Sequence, residues 1–411
     1  MNASGRDPLN QPERRRVRAG HVIQTRDILA KAARQADRRG LSELLIVDAD
    51  AHHYETETWR EIAKRIEDPV LRRRALGGDA SDFGPSPVKG NVLLGGGLPI
   101  DIDLAGRIPR YGTRALESGD GVRPRDVVLA EEAMDAMGVN TTILFPNNML
   151  DLGFHPDTQV EIAVARAYAL WMTEEILPAS EGRLKTMLYL PLNDPATSLR
   201  IVREFSDRPG VVGFMVGSTR TNAIHDNANM ELYGEIERRY LPLGFHGSWH
   251  PMTQMHLVNS MLSVHALGFP YHIMVNMTNW IINGLPERFP GLRTIWIEGG
   301  LAYLPFLMQR LDHEYSMRTS EAPLLRHRPS EYIRKLFFTS QPLEVPTDSM
   351  DALKMTFEMI GAESQLLYAS DYPHWDFDVP SRIYDLPFLS EKAKRRILGE
   401  NAFQLFQLDH R

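Results

Sequence analysis

Four segments of the chain place metal-binding side chains directly after a short apolar run. Asp50 and His52 follow the first run and are two residues apart, so on an extended strand both side chains point the same way. His246, Glu298 and Asp371 follow three later runs. Carboxylate oxygens and imidazole nitrogens bind divalent cations. The residue types and their positions therefore predict a metal-dependent enzyme with these five residues as ligands.

Glu55 extends the set of candidate metal ligands. It follows His52 closely, and its carboxylate is predicted to bind the metal or, alternatively, to orient a ligand histidine through that ring's second nitrogen. Neighbours on a strand face opposite sides, so the sequence leaves open whether His52 or His53 faces the metal. Glu298 precedes two glycines, and the sequence also permits a different role for it. Instead of binding the metal, it could lie at a helix N-terminus, where the helix dipole favours an acid.

Three residues are predicted to act on the substrate. Asp371 and Glu298 are acids that can transfer a proton as well as bind a metal. His265 is the third, and it lies after the fifth predicted strand together with His250 and His256. One of these histidines could shape the substrate pocket, although any one of them alone is more often a packed or surface residue.

These residues require elements that bring them together. Apolar runs that suit strands alternate with helices, which favours an α/β fold with a parallel sheet, and eight strands favour a (β/α)8 TIM-type barrel. The C-terminal ends of the strands in such a barrel form the face that carries the site, so the ligands should converge there. The predicted strands span residues 44–47, 141–145, 186–190, 211–216, 242–245, 293–297, 335–339 and 366–368.

A long stretch rich in glycine and proline interrupts the predicted barrel after its first strand. Residues 77–123 are too long for an ordinary connection, so we expect a lid over the site or an oligomerisation insertion. Residues 1–22 are polar and lack the apolar centre of a signal peptide, which predicts a flexible tail. Residues 23–411 are then one metal-binding barrel domain.

The composition of the chain limits which kinds of partner and which side-chain chemistry are expected. The chain of 411 residues carries 46 basic and 53 acidic residues, a net charge of −7 that favours neither a nucleic-acid nor a membrane partner. It contains no cysteine, so disulfides, thiolate ligands and a cysteine nucleophile are excluded. No apolar run reaches the ~18 residues of a membrane helix. We expect a cytoplasmic homo- or hetero-oligomer that acts on a small molecule.

The motifs around the predicted ligands resemble those of the amidohydrolase superfamily, in the branch that holds aminocarboxymuconate-semialdehyde decarboxylase. The resemblance runs from residue 47 to the end and implies a barrel with a metal held by strand-one residues, His246 and Asp371. The matching motifs are Asp50-Ala51-His52, His246, Leu285-Pro286-Glu287-Arg288-Phe289-Pro290-Gly291-Leu292-Arg293, Glu298-Gly299-Gly300, Leu304-Pro305 and Ser370-Asp371-Tyr372-Pro373-His374.

The chain departs from this family pattern at three ligand positions. Strand one usually carries His-x-His or Glu-x-His, where this chain has Asp50 and His52. The sixth strand usually ends in His-Gly-Gly, where this chain has Glu298. In many dinuclear members of the family, a carbamylated lysine on the fourth strand bridges two zinc ions. The fourth strand of this chain has no lysine. With Glu55 and Asp371, the site would hold up to four carboxylates, a composition that suits iron or manganese.

That composition resembles a branch of dinuclear iron monooxygenases on this fold, which includes a platensimycin-pathway hydroxylase and a 2-aminoisobutyrate hydroxylase. The resemblance implies a non-haem enzyme with two iron ions, or iron and manganese, that hydroxylates a small organic substrate with O2 and an external electron donor. The alternative is a mononuclear decarboxylase or hydrolase of a carboxylated small molecule, in which manganese or zinc is possible and Asp371 or a histidine moves the proton. A third possibility, a non-catalytic subunit, fits poorly with the filled ligand positions.

Overall fold

The computed structural model describes residues 25–77, 121–248, 261–345, 349–374 and 376–409. The predicted tail 1–22 and nearly all of the predicted insertion 77–123 lie outside these ranges, as do His250 and His256. Within the described ranges, every helix is too short or too polar to cross a lipid bilayer.

Eight parallel strands form one sheet whose order in space is their order in the chain. Ala49 N donates to Tyr368 O at 2.9 Å and Asp371 N to Asp50 O at 2.7 Å, which brings the last strand back beside the first. The predicted (β/α)8 barrel is therefore confirmed. The strands are β1 Val47–His53, β2 Thr141–Pro146, β3 Leu184–Tyr189, β4 Val211–Val216, β5 Leu243–His246, β6 Thr294–Ile297, β7 Phe337–Thr339 and β8 Leu366–Leu367.

Helices cover the outside of the barrel; the first precedes β1, the last three follow β8, and the others lie between successive strands. They are α1 Thr25–Arg39, α2 Glu55–Ala63, α3 Pro69–Gly77, α4 Arg125–Met137, α5 Thr158–Trp171, α6 Pro195–Phe205, α7 Met230–Arg238, α8 Met261–Ile282, α9 Leu285–Arg288, α10 Tyr303–Met317, α11 Pro329–Ile333, α12 Asp351–Ile360, α13 Ala362–Gln365, α14 Ser381–Tyr384, α15 Glu391–Arg395 and α16 Asn401–Leu405. A 3-10 helix, Asn148–Phe154, follows β2 directly.

The first strand is longer than its apolar run. β1 continues through the acids and histidines to His53, and all seven of its residues are buried. Polar residues normally end a buried strand, but here Asp48 accepts hydrogen bonds from Ser370 N at 2.8 Å and Ser370 Oγ at 2.5 Å across the barrel closure. Because these bonds satisfy the carboxylate, Asp50 and His52 lie within the strand rather than in the loop after it.

The fifth crossover helix is also longer than expected. The sequence predicts a helix only from residue 278, whereas α8 begins at Met261. This segment contains no Lys, Arg, Asp or Glu, so it lacks the alternation of apolar and charged faces that identifies a surface helix. The sequence of residues 57–74 predicts a helix that breaks or kinks near Pro69, because proline lacks the backbone N–H that a helix interior needs. Two helices are present there, and α3 starts at Pro69.

Candidate metal centre

Five of the six predicted ligands come together at the C-terminal face of the barrel. Asp50 and His52 lie near the end of β1, and His246 is the last residue of β5. Glu298 follows β6 directly, and Asp371 lies in the segment that pairs with β1 after β8. The relative exposure of each of these residues is 2% or less. The barrel topology therefore gathers side chains that are up to 321 positions apart in the sequence.

Asp50, His52 and His246 form the first group of facing ligand atoms. Asp50 Oδ1 lies 3.3 Å from His52 Nε2 and 3.5 Å from His246 Nε2. The ligand atoms of the three residues all lie within 4.8 Å of one another. This spacing suits one cation at their centre, since metal–ligand bonds are ~2.0–2.2 Å long.

His52 also belongs to a second group, with Glu298, Asp371 and His374. Asp371 Oδ1 lies 3.2 Å from His52 Nε2 and 2.6 Å from His374 Nδ1. The sequence motif contains His374, but His374 is absent from the predicted site. Its position three residues after Asp371, within a turn, is the signal that could have found it. The two groups are contiguous because they share the His52 nitrogen.

Backbone carbonyls orient both histidines of the first group. His52 Nδ1 is 3.0 Å from Pro146 O, and His246 Nδ1 is 2.8 Å from Gly247 O. A carbonyl oxygen only accepts, so each Nδ1 carries the hydrogen and each Nε2 presents its lone pair to the centre. Carbonyl partners of this kind commonly fix the ring of a metal-bound histidine.

The atoms that face the centre lack other partners. Both oxygens of Asp50, Nε2 of His52 and of His246, and Oε2 of Glu298 are buried and accept or donate no hydrogen bond among the described residues. Acceptors so close together are unfavourable unless a positive charge lies between them. A divalent cation would satisfy all of them, so the residues present fit a metal ion.

The ionisation of these groups reflects the same crowding. Burial opposes ionisation of Asp50, but the His246 and His52 rings, when protonated, outweigh it and hold the pKa of Asp50 below its usual value. Burial, reinforced by Asp371, raises the pKa of Glu298 well above its usual value. Burial likewise raises the pKa of Asp371, with His52 partly offsetting it. Three adjacent carboxyl groups therefore do not all ionise freely without a bound cation.

The backbone at two of these residues is left-handed. Glu298 has φ +55° and Asp371 has φ +58°, a conformation that costs a non-glycine residue roughly 1–3 kcal/mol. Glu298 N donates to Thr339 Oγ1 at 3.0 Å, which holds this turn. Because α10 begins only at Tyr303, Glu298 does not lie at a helix N-terminus. The alternative interpretation of Glu298 as a helix cap is therefore wrong.

The ends of β5 and β6 approach each other closely. Gly247 N donates to Ile297 O at 2.7 Å, and a Cβ on Gly247 would lie 2.6 Å from Glu298 O. Only glycine permits this approach without a backbone shift. The contact brings His246 Nδ1 to 3.6 Å from Glu298 Oε2.

Glu55 lies in a different environment from the other predicted ligands. Its Oε2 accepts from the backbone N–H of Asn147 and of Asn148, each at 3.0 Å, and its Oε1 accepts from Met149 N at 3.0 Å. Glu55 belongs to neither group of facing ligand atoms. The prediction of Glu55 as a metal ligand is therefore corrected: it holds the loop after β2.

Two histidines of the sequence prediction lie outside both groups. His53 points away from the centre, with Nε2 2.9 Å from Tyr168 OH and Nδ1 3.6 Å from Asp126 Oδ1, so His52 is the histidine that faces it. His265 lies on α8, where its Nε2 is 3.5 Å from Asp376 Oδ2. The catalytic role of His265 stays a prediction.

Comparison with known sequences identifies related proteins. Residues 47–408 match the family model described as amidohydrolase. The gamma-resorcylate decarboxylase of Rhodococcus jostii (strain RHA1) is 24% identical over 290 residues, which are 67% of this chain and 86% of that protein. The gamma-resorcylate decarboxylase of Rhizobium radiobacter is 25% identical over 290 residues, 68% of this chain and 86% of that protein.

Several solved structures with the same fold are of decarboxylases, and others are described only as amidohydrolases. The 5-carboxyvanillate decarboxylase of Sphingomonas paucimobilis has a TM-score of 0.60 at 20% identity and covers 89% of this chain and 100% of its own. The dihydroxybenzoic acid decarboxylase of Polaromonas sp. JS666, with bound manganese and 2-nitroresorcinol, has a TM-score of 0.62 at 17% identity. The match covers 90% of this chain and 98% of that chain. At these identities the structures support the fold alone.

These relatives overturn the expected oxygen chemistry. The sequence relatives over two thirds of the chain are decarboxylases, so the expectation of a dinuclear iron monooxygenase that uses O2 and an electron donor is wrong. The prediction relied on the number of carboxylates at the site. That number was too high, partly because Glu55 accepts hydrogen bonds from backbone N–H groups and does not face the metal centre. Oxygen-rich ligand sets also suit manganese, so they do not by themselves indicate iron or oxidation.

Proposed function

Because the chain belongs to the amidohydrolase family, we propose that it is a metal-dependent, non-oxidative decarboxylase of a hydroxybenzoate-type aromatic acid. The observation that carries this proposal is the buried convergence of Asp50, His52 and His246, with Asp371 beside them. The sequence relatives support the reaction class, and the names gamma-resorcylate and 2,6-dihydroxybenzoate in related proteins support the substrate class.

Asp50, His52 and His246 would hold the cation in this proposal. Manganese is the favoured ion, because related decarboxylase structures contain it and because it accepts mixed carboxylate and imidazole ligands. When bound, the cation would neutralise negative charge on the carboxylate and the neighbouring hydroxyl of the substrate. Carbonyl partners on Pro146 and Gly247 keep the two imidazoles aimed at it.

Asp371 is the residue that supplies the proton. Its carboxyl transfers a proton to the ring carbon that bears the substrate carboxylate. The bond from that carbon to the carboxylate then breaks, its electron pair stays with the ring, and CO2 leaves. The reaction consumes one proton and no oxidant or reductant. When its ring carries a hydrogen on both nitrogens, His374 Nδ1, at 2.6 Å from Asp371 Oδ1, is placed to return a proton to Asp371.

The burial of Asp371 suits this role. Its relative exposure is 0%, and burial raises the pKa of its carboxyl well above the usual value, which favours the protonated form. A general acid works best when its pKa lies near the working pH. Exclusion of bulk water also keeps the transferred proton within the site.

Decarboxylation without oxygen tests the proposal. The purified protein, reconstituted with Mn²⁺ under argon, should release CO2 from 2,6-dihydroxybenzoate or another 2-hydroxybenzoate and leave the corresponding phenol. CO2 is measured in the headspace and the phenol by chromatography. Absence of CO2 from every hydroxybenzoate tested, or turnover that appears only when O2 and a reductant are added, would overturn the proposal.

A matched pair of variants assigns the proton donor. Asp371→Asn should lower kcat on the order of 100-fold or more, as expected for loss of a general acid. Asp385→Asn is the control, since Asp385 is half-exposed and pairs with Arg39 on the outside of the barrel. Manganese content is measured in both, so that loss of metal is not mistaken for loss of the acid. Near-normal kcat in Asp371→Asn would exclude it as the proton donor.

A further inference from the structure

The 3-10 helix after β2, with Asn147 immediately before it, is hydrogen-bonded to residues that follow five other strands. The five partners belong to different segments of the chain, so the segment 147–154 connects much of the rim around the site. The contacts are Asn147 N with Glu55 after β1, Gly153 O with Asn193 Nδ2 after β3 at 2.8 Å, Leu150 O with Ser218 N after β4 at 2.9 Å, Asp151 Oδ1 with Ser248 Oγ after β5 at 2.8 Å, and Asn147 Oδ1 with His374 Nε2 after β8 at 2.7 Å.

The side-chain amide of Asn147 has a defined direction. Its Nδ2 donates to Asn148 Oδ1 at 2.8 Å, which leaves Oδ1 to face His374 Nε2 at 2.7 Å. An amide oxygen accepts but cannot donate. His374 Nε2 must therefore carry a hydrogen whenever this contact is made.

The rest of the His374 ring faces the site. Its Nδ1 lies 2.6 Å from Asp371 Oδ1, and the ring stacks on His52 with centroids 4.3 Å apart and planes 22° from parallel. With a hydrogen fixed on Nε2, Nδ1 is the nitrogen that meets Asp371. The ring has no freedom to turn without losing either the Asn147 or the Asp371 contact.

We propose that Asn147 is a positioning residue, which fixes the Nε2–H form and the orientation of His374 and so holds Nδ1 against Asp371. Glu55 supports this arrangement from behind, because its carboxylate holds the backbone N–H of Asn147 and of the next two residues. The effect of this positioning on catalysis rests on the proposed function, whereas the orientation of the His374 ring does not.

The hydrogen on His374 is measured first, in metal-free and substrate-free protein. With ¹⁵N-labelled histidine, NMR should show a protected Nε2–H signal that His374→Gln removes, which assigns it. Asn147→Ala should abolish the protection or mix the two ring forms. Asn147→Asp keeps an acceptor oxygen and should retain the signal. A signal in Asn147→Ala equal to that of the unmodified protein would overturn the proposal.

Asn140→Ala provides a matched structural control. Asn140 precedes β2 as Asn147 follows it, and its Oδ1 accepts from Ile46 N at 2.8 Å at the opposite end of the barrel. Its loss removes one asparagine hydrogen bond from the same strand without touching His374. The His374 signal should therefore survive in Asn140→Ala, even if its Tm falls as far as that of Asn147→Ala.

Kinetics then test whether the arrangement matters for turnover. At saturating Mn²⁺, Asn147→Ala should lower kcat by about 10–100-fold, the usual effect of losing such a supporting bond, with KM within about two-fold. In a His374→Gln background the same substitution should cause no further loss. Additive losses would overturn the positioning role. If the unmodified protein does not decarboxylate, the proposed function fails, and the NMR result still decides the role of Asn147.

Discussion

At the scale of single residues, the hydrogen bonds that each carboxylate makes within the protein distinguish the candidate metal ligands from the structural acids. Asp48 and Asp50 are two positions apart on β1, and both are buried. Asp48 is satisfied by Ser370, whereas both oxygens of Asp50 lack a hydrogen-bond partner in the described chain. An unsatisfied buried carboxylate is costly unless a cation compensates it. The same substitution should therefore weaken metal binding at Asp50 and lower the stability of the fold at Asp48.

Asp50→Asn should reduce Mn²⁺ affinity by at least about 10-fold, since it removes a charged ligand from the first group. Asp48→Asn should keep the Mn²⁺ affinity and instead lower stability by roughly 1–3 kcal/mol, because its amide nitrogen would replace one of the two oxygens that now accept from Ser370 N and Ser370 Oγ. Isothermal titration with Mn²⁺ and urea unfolding separate the two effects. Equal metal loss in both variants would contradict the assignment of Asp50.

At the scale of elements, Glu55 and Glu161 connect helices to the loops that surround the site. Glu55 is the first residue of α2 and holds the loop after β2. Glu161, on α5, accepts from Tyr189 OH at 3.1 Å and from Asn193 Nδ2 at 2.9 Å, which connects that helix to the loop after β3. Neither carboxylate faces the metal centre, and each leads to a separate prediction.

Glu55→Gln should destabilise the protein by about 2 kcal/mol, because an amide supplies one acceptor oxygen for three backbone donors. The bound Mn²⁺ per chain should not change. Metal content by mass spectrometry and urea unfolding check both parts. Glu61→Gln, on an exposed position of the same helix, is the control and should change neither. Loss of the metal from Glu55→Gln, with the fold intact, would restore Glu55 as a ligand.

Glu161 should make stability depend on pH. Burial raises its pKa to about 7 from the usual 4.5, so the folded protein holds this proton more tightly than the unfolded chain. The stabilisation is complete below the usual pKa and is lost as the pH rises through about 7, and it amounts to on the order of 3 kcal/mol.

Urea unfolding between pH 5 and pH 8 measures this effect. The unfolding free energy of the unmodified protein should fall more steeply with rising pH than that of Glu161→Gln. Slopes are compared rather than absolute values, because the new amide also changes the contact with Asn193. Glu174→Gln, an exposed position that pairs with Arg65, serves as control. Parallel slopes for Glu161→Gln and the unmodified protein would exclude Glu161 as the titrating group.

At the scale of the whole molecule, the proposed metal would connect distant parts of the chain. Asp50 and His52 come from the first strand and His246 from the fifth, on opposite sides of the barrel mouth. Binding to the folded state alone stabilises it, by about 2.7 kcal/mol at a free metal concentration 100 times Kd. The cation would also relieve repulsion among the buried carboxyl groups.

Removal of the metal should therefore lower the Tm by a few degrees, and Mn²⁺ should restore it in a concentration-dependent way. Differential scanning calorimetry after treatment with a chelator, then after titration with Mn²⁺, measures the change. Asp50→Asn should abolish the response. A Tm that Mn²⁺ leaves unchanged at saturating concentration would contradict a structural link through the first group.

The sequence by itself determined the barrel and most of the residues at its mouth. Eight apolar runs in alternation with helices suffice for the topology, because a parallel sheet needs crossover helices. Asp50, His246, Glu298 and Asp371 could be chosen because strand ends share one face in this fold. These inferences use only local pattern and the order of elements, which a single sequence contains.

The tertiary structure decided which polar groups are already satisfied. Glu55 and Asp50 look equivalent in sequence, yet one carboxylate meets three backbone N–H groups and the other meets none. Asn147 and His374 are 227 positions apart, and only the closed barrel brings them into contact. Hydrogen bonds depend on distances of a few tenths of an ångström between remote segments, which local pattern does not contain. The ligand types likewise permitted iron or manganese, so the chemistry had to come from relatives.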